Sequence, residues 1–285
     1  MKEEINDDES KKSSKLTNFL IIIIVVIISI FIYSKYVETN LIRVREYLIS
    51  DKNIPSNFKG VNVIYFSDML FGSVDINYVE RLVSRINEMK PDIVIYGGSL
   101  ISKENKINDK DKKDLIKYLS KVDSKLGKYY VTSNIDNKIS DEILTTSGYK
   151  LMNNLSELIY NENNTPICIY GVGSYNLSKS DLTKLNECNG YYTILFTHEP
   201  DVTDKILNLD FKPNIILAGN SLGGEINVPF YNNLIKYKGS NKYYLEKYNK
   251  NNIDIYISNG IGTDSLGLRL NNMPSFSVFR LKSTD

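Results

Sequence analysis

Histidine and cysteine are scarce in this chain, and their scarcity limits the chemistry it can support. The 285 residues include one histidine, His198, and two cysteines, Cys168 and Cys188. A zinc site built from several histidines is therefore excluded, as is a Ser-His-Asp triad with a second candidate base. The cysteines lack the C-x-x-C spacing of thiolate zinc sites. Any metal site in this chain contains at most one imidazole.

The chain also lacks a charge excess of either sign. Its 35 Lys and Arg residues nearly balance 34 Asp and Glu residues. Because nucleic-acid-binding proteins usually carry a basic patch, we expect no nucleic-acid partner. Neither an interdomain linker nor an internal repeat interrupts the chain after about residue 40. We therefore predict one α/β domain over residues 37–285.

The N-terminal region contains one long run without charge. Leu16 to Tyr36 has only Lys35 as a charged residue, and Phe19 to Phe31 is almost entirely Ile and Val with one serine. About 20 apolar residues span the hydrocarbon core of a membrane, so a buried core helix is the weaker interpretation. No small-residue cleavage site follows, which predicts an uncleaved signal anchor over 16–36. The polar residues 1–15 are expected to form a disordered tail.

The orientation of this anchor depends on a nearly balanced distribution of cations. Lys11, Lys12 and Lys15 precede the span, whereas Lys35 and two arginines follow it. A short tail with lysines next to the span favours tail inside and domain outside, in the cell membrane. The two cysteines fit either side, as one disulfide or as two free thiols, and the sequence slightly favours free thiols.

Wholly apolar strands alternate with amphipathic helices through the rest of the chain. Val63 to Phe66 is the first buried strand, and a helix with one apolar face begins near Asp75. A strand is also expected near Leu41 to Leu48, and a helix around Leu182. This alternation predicts sheets buried on both faces, with functional residues in the loops after the carboxyl ends of the strands.

Five of these loops carry a recognisable pattern. The first reads Ser67-Asp68-Met69-Leu70-Phe71-Gly72. It resembles the S-D-x-H-x-G loop of the calcineurin-like metallophosphoesterases, in which the aspartate and the histidine bind one of two metals. Here Asp68 is kept and Leu70 stands at the histidine position.

The other four loops follow in the order and spacing of that family. Gly97-Gly98-Ser99-Leu100 resembles a G-D-x loop, with Ser99 at the position of the metal-bridging aspartate. Ser133-Asn134-Ile135-Asp136 resembles G-N-H-D, with Ile135 at the position of the general acid. His198 keeps its position in the fourth loop. Asn220 and Leu222 replace two histidines in the fifth loop, which precedes Gly223-Gly224-Glu225.

The end of the chain extends the resemblance to a membrane-anchored, YkuE-like branch of the same family. Its signals are Asn259 to Thr263 and Arg269-Leu270 before Pro274. The resemblance implies a four-layer α-β-β-α sandwich of the metallophosphoesterase type, preceded by one transmembrane helix.

The resemblance also implies where two metals would bind. One would take positions 68, 70, 99 and 222, and the other positions 99, 134, 198 and 220. Only Asp68, Asn134 and His198 remain as vestigial ligands. Loss of the bridging carboxylate is the costliest change, because two cations would then repel each other across the cleft. We therefore expect a pseudoenzyme with no catalytic residue and no cofactor, acting in binding or regulation at the cell envelope.

Two other interpretations remain open at this stage. Asp136 and Glu225 could join the three vestigial ligands in a reduced site with one weakly bound Mn, Fe or Zn ion, which would make the protein a phosphoester hydrolase. Alternatively, the loops are turns of an unrelated α/β domain.

A degenerate cleft could still bind a ligand. Gly97, Gly98, Gly223 and Gly224 permit close backbone approach, and their amides are expected to hold an anion such as a phosphate headgroup. The expected partners are the lipid bilayer and either a phosphate-bearing ligand or an envelope protein. The stretch Tyr231 to Tyr248 is a second candidate contact face, or an ordinary hairpin.

Overall fold

The computed structural model of the protein describes residues 2–103, 106–162, 165–228, 235–264 and 266–284, with side chains from residue 15 onward. Helix α1 (Lys2–Ile32) continues into a π-helical turn (Tyr33–Val37) and a 3-10 turn (Glu38–Asn40). Within this continuous helical segment, Lys15–Asn40 is long and apolar enough to cross a membrane, and it contains the predicted span 16–36. The helix also covers residues 2–15, where the sequence predicts an irregular tail, because extending an existing helix costs little compared with starting one.

Two sheets, each with six described strands, form the domain. The first has the order β1-β12-β2-β3-β4-β5, in which β12 and β2 are antiparallel and the other neighbours are parallel. Its strands are β1 (Arg43–Asp51), β2 (Asn62–Phe66), β3 (Ile93–Tyr96), β4 (Gly127–Tyr130), β5 (Lys150–Leu151) and β12 (Ser275–Ser283).

The second sheet has the order β10-β11-β9-β8-β7-β6. Its strands β11, β9, β8 and β7 are parallel neighbours, and an antiparallel strand closes each edge. The strands are β6 (Leu155–Ile159), β7 (Ile167–Val172), β8 (Thr193–Thr197), β9 (Ile215–Ala218), β10 (Lys247–Lys250) and β11 (Ile253–Ile257).

Helices cover the outer face of each sheet, so the domain has four layers. Helices α2 (Ile76–Glu88), α3 (Asp109–Leu119) and α4 (Lys138–Thr146) share an apolar core with the first sheet. Helix α5 (Thr203–Leu207) and a 3-10 helix (Thr183–Cys188) cover the second. A third core lies between the sheets. The predicted α-β-β-α architecture is confirmed, with one apolar helix before it.

Three local predictions differ from the structure. Strand β1 begins at Arg43 rather than near Leu41, and only the 3-10 helix forms near Leu182. Cys168 in β7 and Cys188 at the end of that 3-10 helix form a disulfide, with their Cα atoms 5.5 Å apart. The preference for free thiols is wrong because the 3-10 helix packs across β7, a contact that cysteine spacing does not reveal.

The end of the N-terminal apolar helix, the predicted anchor, is fixed to the domain by hydrogen bonds. The carbonyl of Ser34 accepts from the amide of Arg269 at 3.1 Å. The buried carboxylate of Glu38 accepts from the amides of Asn271 at 3.1 Å and Asn272 at 2.5 Å. Tyr78 in α2 donates to the carbonyl of Leu41 at 2.9 Å. The domain is therefore held against the end of the anchor rather than joined to it by a free linker.

Candidate functional site

The site forms where parallel strands of both sheets end, and its first two loops continue the pairing of β2 with β3. The amide of Asp68 donates to the carbonyl of Gly98 at 2.8 Å, and the amide of Leu70 donates to the carbonyl of Ser99 at 3.0 Å. This pairing places positions 68, 70 and 99 side by side, as the resemblance implies.

Asp136 fixes the third loop to the second. Its carboxylate accepts from the amides of Ser99 at 2.8 Å, Leu100 at 2.9 Å and Ser133 at 2.9 Å. A carboxylate that holds three backbone amides is already satisfied inside the protein. Asp136 therefore positions the loops and does not join the reduced metal site considered above.

The fourth and fifth loops approach from the second sheet. The amide of Gly219 donates to the carbonyl of His198 at 3.0 Å. A Cβ atom on Gly219 would lie 2.5 Å from the hydroxyl of Ser67, so only glycine permits this approach of the two sheets. The amide of Asn220 then reaches Oδ2 of Asp68 at 3.0 Å.

His198 and Asp68 meet at the centre of the site. His198 Nε2 lies 2.8 Å from Asp68 Oδ1 and 2.9 Å from the hydroxyl of Ser99. The hydroxyl of Ser67 donates to Asp68 Oδ2 at 2.6 Å. Only 1% of His198 and 3% of Asp68 is exposed. The two vestigial ligands thus bind each other, and Ser99 joins them in place of a bridging carboxylate.

The electrostatics of the centre favour a charged imidazole. Burial, the largest single influence, lowers the pKa of His198, but attraction to Asp68, the hydrogen bond with Asp68 and the nearby carboxylate of Glu199 together raise this pKa to about 10. His198 Nδ1 lies 3.5 Å from Glu199 Oε1. His198 is therefore a cation at neutral pH, paired with a buried carboxylate.

Glu199 is held ionised on the other side of the imidazole. Burial acts to raise the pKa of Glu199, but attraction to the nearby His198 and hydrogen bonds from Ser174 and Tyr175 make the net shift downward. The hydroxyl of Ser174 donates to Glu199 Oε1 at 2.7 Å, and the amide of Tyr175 donates to Oε2 at 3.0 Å. The positive imidazole consequently lies between two carboxylates.

A small cleft of about 90 Å³ opens above this centre. It brings together every replaced or vestigial position predicted from the sequence, namely Asp68, Leu70, Ser99, Asn134, Ile135, His198, Asn220 and Leu222. Five lining residues lie outside the five motifs: Lys103, Asn176, Tyr237, Lys238 and Asp264. Of these, Tyr237 and Lys238 belong to the tyrosine-rich stretch noted in the sequence, and the other three carried no sequence signal. The register of the five loops is therefore consistent with the geometry.

The loop backbone keeps an unusual conformation at five of these positions. Asp68, Leu70, Ser99, Asn220 and Leu222 have φ between 47° and 64°, in the left-handed region. Asparagine and aspartate adopt this region readily, but for leucine it costs about 1–2 kcal/mol. Surrounding hydrogen bonds hold Leu70 and Leu222 in it, although neither side chain can bind a metal.

The four glycines serve packing more than anion binding. The amide of Gly97 donates to the carbonyl of Phe66 at 2.8 Å, and that of Gly224 to the carbonyl of Ser221 at 2.8 Å. The amide of Gly223 donates to the hydroxyl of Ser221 at 3.1 Å. Three of the four amides expected to cradle an anion are thus occupied, and an anion in the cleft would meet side chains instead.

The tyrosine-rich stretch is partly exposed where it is described, but two of its tyrosines have internal partners. Residues 231–234 of the predicted face Tyr231 to Tyr248 lie outside the described residues. Tyr243 and Tyr248 pack edge to face at 5.2 Å, and Tyr243 donates to Asp204 at 2.8 Å. These contacts favour the interpretation as an ordinary hairpin.

Comparison with known proteins finds relatives that are named as metallophosphoesterases. No family model matches the chain. The uncharacterised metallophosphoesterase YkuE of Bacillus subtilis is 28% identical over 263 residues, covering 89% of this chain and 90% of that protein. Nearly the whole chain is therefore similar to a metallophosphoesterase, in agreement with the resemblance of its five loops to the calcineurin-like superfamily.

Two further relatives show the same similarity over part of their length. A transmembrane protein with a metallophosphoesterase domain from Danio rerio is 24% identical over 61% of this chain and 43% of its own length. An uncharacterised metallophosphoesterase of Campylobacter jejuni is 25% identical over 70% of this chain and 54% of its own length.

The side chains at the site do not fit the two metals of a calcineurin-like phosphoesterase. Leu70 and Leu222 offer no lone pair, and Ser99 is bonded to His198. Glu225 is also engaged, since its carboxylate accepts from Tyr237 at 2.6 Å and from the amide of Asp264 at 2.7 Å. Among the residues with described side chains, no group of three or more His, Cys, Asp or Glu is placed to hold a metal ion.

Proposed function

We propose that this protein is a membrane-anchored, catalytically degenerate phosphoesterase-fold protein that binds a phosphate-bearing ligand at the cell envelope. The observation that carries the proposal is the direct pairing of His198 with Asp68 at 2.8 Å in a site bordered by Leu70 and Leu222. A phosphoesterase of this family needs metals to activate water and neutralise developing charge. Here an internal cation, His198, lies where metal ligands would converge.

The position expected for the general acid supports the same proposal. Ile135 borders the cleft where the family places a histidine. An isoleucine cannot transfer a proton to a leaving group. Acid catalysis and metal activation are thus both missing from the side chains that meet here.

The cleft nevertheless retains features suited to an anion. Lys103 and Lys238 line it from opposite loops, and the charged His198 lies at its base. Asp264 is the exposed carboxylate at the rim, and Asp68 is neutralised by His198. A phosphate group would gain charge-assisted hydrogen bonds from the two lysines.

The disulfide supports a domain outside the cytoplasm. Cys168 and Cys188 are joined in the structure, and structural disulfides persist mainly in oxidising compartments. The lysines of the N-terminal tail favour the same orientation. A single-pass anchor with the domain on the outer face of the cell membrane accounts for both observations.

The first experiment measures metal and turnover in the full chain purified in detergent. We expect Mn, Fe and Zn far below one ion per chain, and no hydrolysis of bis- or mono-nitrophenyl phosphate with added Mn²⁺. Near-stoichiometric metal with turnover that His198→Ala or Asp68→Ala abolishes would contradict the proposal and support a reduced single-metal hydrolase.

The second experiment restores the family residues. The five-fold variant Leu70→His, Ser99→Asp, Ile135→His, Asn220→His and Leu222→His should bind metal, because four of the five positions keep the left-handed backbone of the site loops. A folded variant that still binds no metal would contradict the assignment of these loops to the family pattern.

The third experiment tests ligand binding at the cleft. Inorganic phosphate and glycerol phosphate are titrated into the full chain by calorimetry. Lys103→Gln with Lys238→Gln should weaken binding about tenfold, consistent with the loss of charge-assisted bonds. Lys52→Gln, an exposed lysine outside the cleft, is the matched control. Equal binding by all variants would rule out the cleft as the phosphate site.

A further inference from the structure

A separate groove lies beside the end of the anchor. It has a volume of about 590 Å³, within the range of small-molecule sites. Tyr33 and Glu38, from the last turns of the anchor, form one wall. Arg43 and Arg45 of β1 form another, and Leu245 and Met273 border it. We call this the anchor groove.

The position of the anchor groove relative to a membrane is fixed by the docking of the anchor. Glu38 binds the amides of Asn271 and Asn272, and Asn271 itself lines the groove. Because the membrane-spanning segment ends at these turns, the groove opens at the level of the lipid headgroups. A lipid in the same leaflet can reach it without leaving the bilayer.

The cations of the anchor groove are suited to phosphate. Arg43 and Arg45 are two residues apart on one strand and so share a face. Only 8% of the Arg45 side chain is exposed. Its Nη1 forms an ion pair with Glu246 Oε2 at 3.0 Å. Its Nε has no hydrogen-bond partner among the described atoms. A buried guanidinium with an unused donor favours an additional acceptor.

Glu38 and Glu246 balance the formal charge of the two groove arginines, but neither carboxylate forms an ion pair with Arg43. Glu38 is satisfied by two backbone amides, and Glu246 pairs with Arg45 while also accepting from Tyr47. Arg43 is exposed and contacts neither carboxylate in an ion pair. The guanidinium of Arg43 therefore remains without an ion pair next to Arg45. Guanidinium groups bind phosphate through two parallel hydrogen bonds, a bidentate arrangement.

Exposed apolar side chains at the rim indicate the source of that phosphate. Leu245 is 45% exposed and Met273 is 38% exposed, both beside the anchor. Apolar groups at this level can enter the interface of the bilayer, where they lose contact with water. We infer that the anchor groove binds the headgroup of an anionic phospholipid through Arg43 and Arg45, at a site distinct from the degenerate cleft.

The test uses the full chain in nanodiscs that contain phosphatidylglycerol and phosphatidylcholine in equal amounts, with retained lipids counted by native mass spectrometry. The expected result is preferential retention of one phosphatidylglycerol. Arg43→Gln should weaken this retention about tenfold, equivalent to about 1.4 kcal/mol and to one charge-assisted hydrogen bond. Because Arg43 is exposed, this variant should fold normally, and a melting curve checks that.

Two further variants separate a built site from general attraction. Arg43→Lys with Arg45→Lys keeps the charge but removes the guanidinium groups, so it should lose most of the preference. Arg85→Gln, an exposed arginine of α2, is the matched control and should bind like the original protein. The inference would be overturned if Arg43→Gln retained phosphatidylglycerol within twofold of the original protein. Full retention of phosphatidylglycerol by the double lysine variant would also overturn it.

A final arm separates lipid from free phosphate compounds. Soluble glycerol phosphate is added to the same nanodiscs at the concentration of the lipid headgroups. It should not displace phosphatidylglycerol, because it lacks the acyl chains that hold the headgroup at the groove. Displacement at equal concentration would overturn the assignment to a lipid. Loss of phosphate binding in the cleft variants would leave this result unchanged, so the two proposals fail separately.

Discussion

The buried pair of His198 and Asp68 predicts that folding stability falls as pH rises above neutrality. The pKa of His198 is raised from 6.5 to about 10 in the folded protein. A raised pKa means that the folded state holds the proton more tightly than the unfolded chain does. The stabilisation is therefore complete below pH 6.5 and is lost as pH approaches 10.

The size of the effect follows from the two pKa values. Linkage between a folded pKa of about 10 and an unfolded pKa of about 6.5 gives a loss of about 3–4 kcal/mol in the free energy of unfolding between pH 6.5 and 9.5. This loss is a large fraction of the stability of an ordinary domain. It is measured by denaturant unfolding of the full chain in detergent, at constant ionic strength.

The variant His198→Gln provides the comparison. It is expected to be less stable at neutral pH and to lack this part of the pH dependence, so the difference between the two proteins isolates the imidazole. Because the chain has one histidine, NMR of a histidine-labelled sample reports its titration directly. An imidazole that titrates near pH 6.5, or equal pH slopes for both proteins, would refute the reasoning.

Three other predictions concern the framework around the site. Cys168→Ser removes a disulfide between residues 20 positions apart. It should lower the free energy of unfolding by about 3 kcal/mol, measured by denaturant unfolding with and without reductant. Arg269→Gln removes a buried guanidinium that donates to the carbonyls of Leu222 and Asn259 at 3.0 and 2.8 Å. The free energy of unfolding should fall by about 3 kcal/mol, and an unchanged melting temperature would show that Arg269 does not stabilise the domain. Glu38→Ala leaves the amides of Asn271 and Asn272 without their acceptor. Proteolysis near residue 40 should therefore be faster than in the original protein, and Glu80→Ala, at an exposed position, is the control.

Much of the site could be predicted because its residues follow strands. Apolar runs such as Ile93–Tyr96 mark parallel strands, and the carboxyl ends of these strands meet at one edge. Once the strands are assigned, Asp68, Ser99 and His198 must lie close together. The resemblance to a known family added the register of each loop, which hydrophobic periodicity alone does not give.

The sequence alone does not show which groups each side chain touches. Asp136 and Glu225 were candidate ligands by residue type, but one fixes backbone amides and the other accepts from Tyr237. The glycine amides were expected to be free, and the surrounding loops occupy three of them. Such pairings depend on how the loops lie relative to one another in three dimensions, which sequence spacing does not encode.

The docking of the anchor also limits which molecules this protein can meet. A domain on a long flexible tether would sample a hemisphere of space above the membrane. Here Ser34 accepts a hydrogen bond from the amide of Arg269, and Glu38 accepts one from the amide of Asn272. The side chains of Arg269 and Asn272 in turn donate to the carbonyl of Leu222, which lines the cleft. In the membrane-anchored protein that we propose, this docking holds the cleft at one height and one tilt above the bilayer and selects partners that are present at that height.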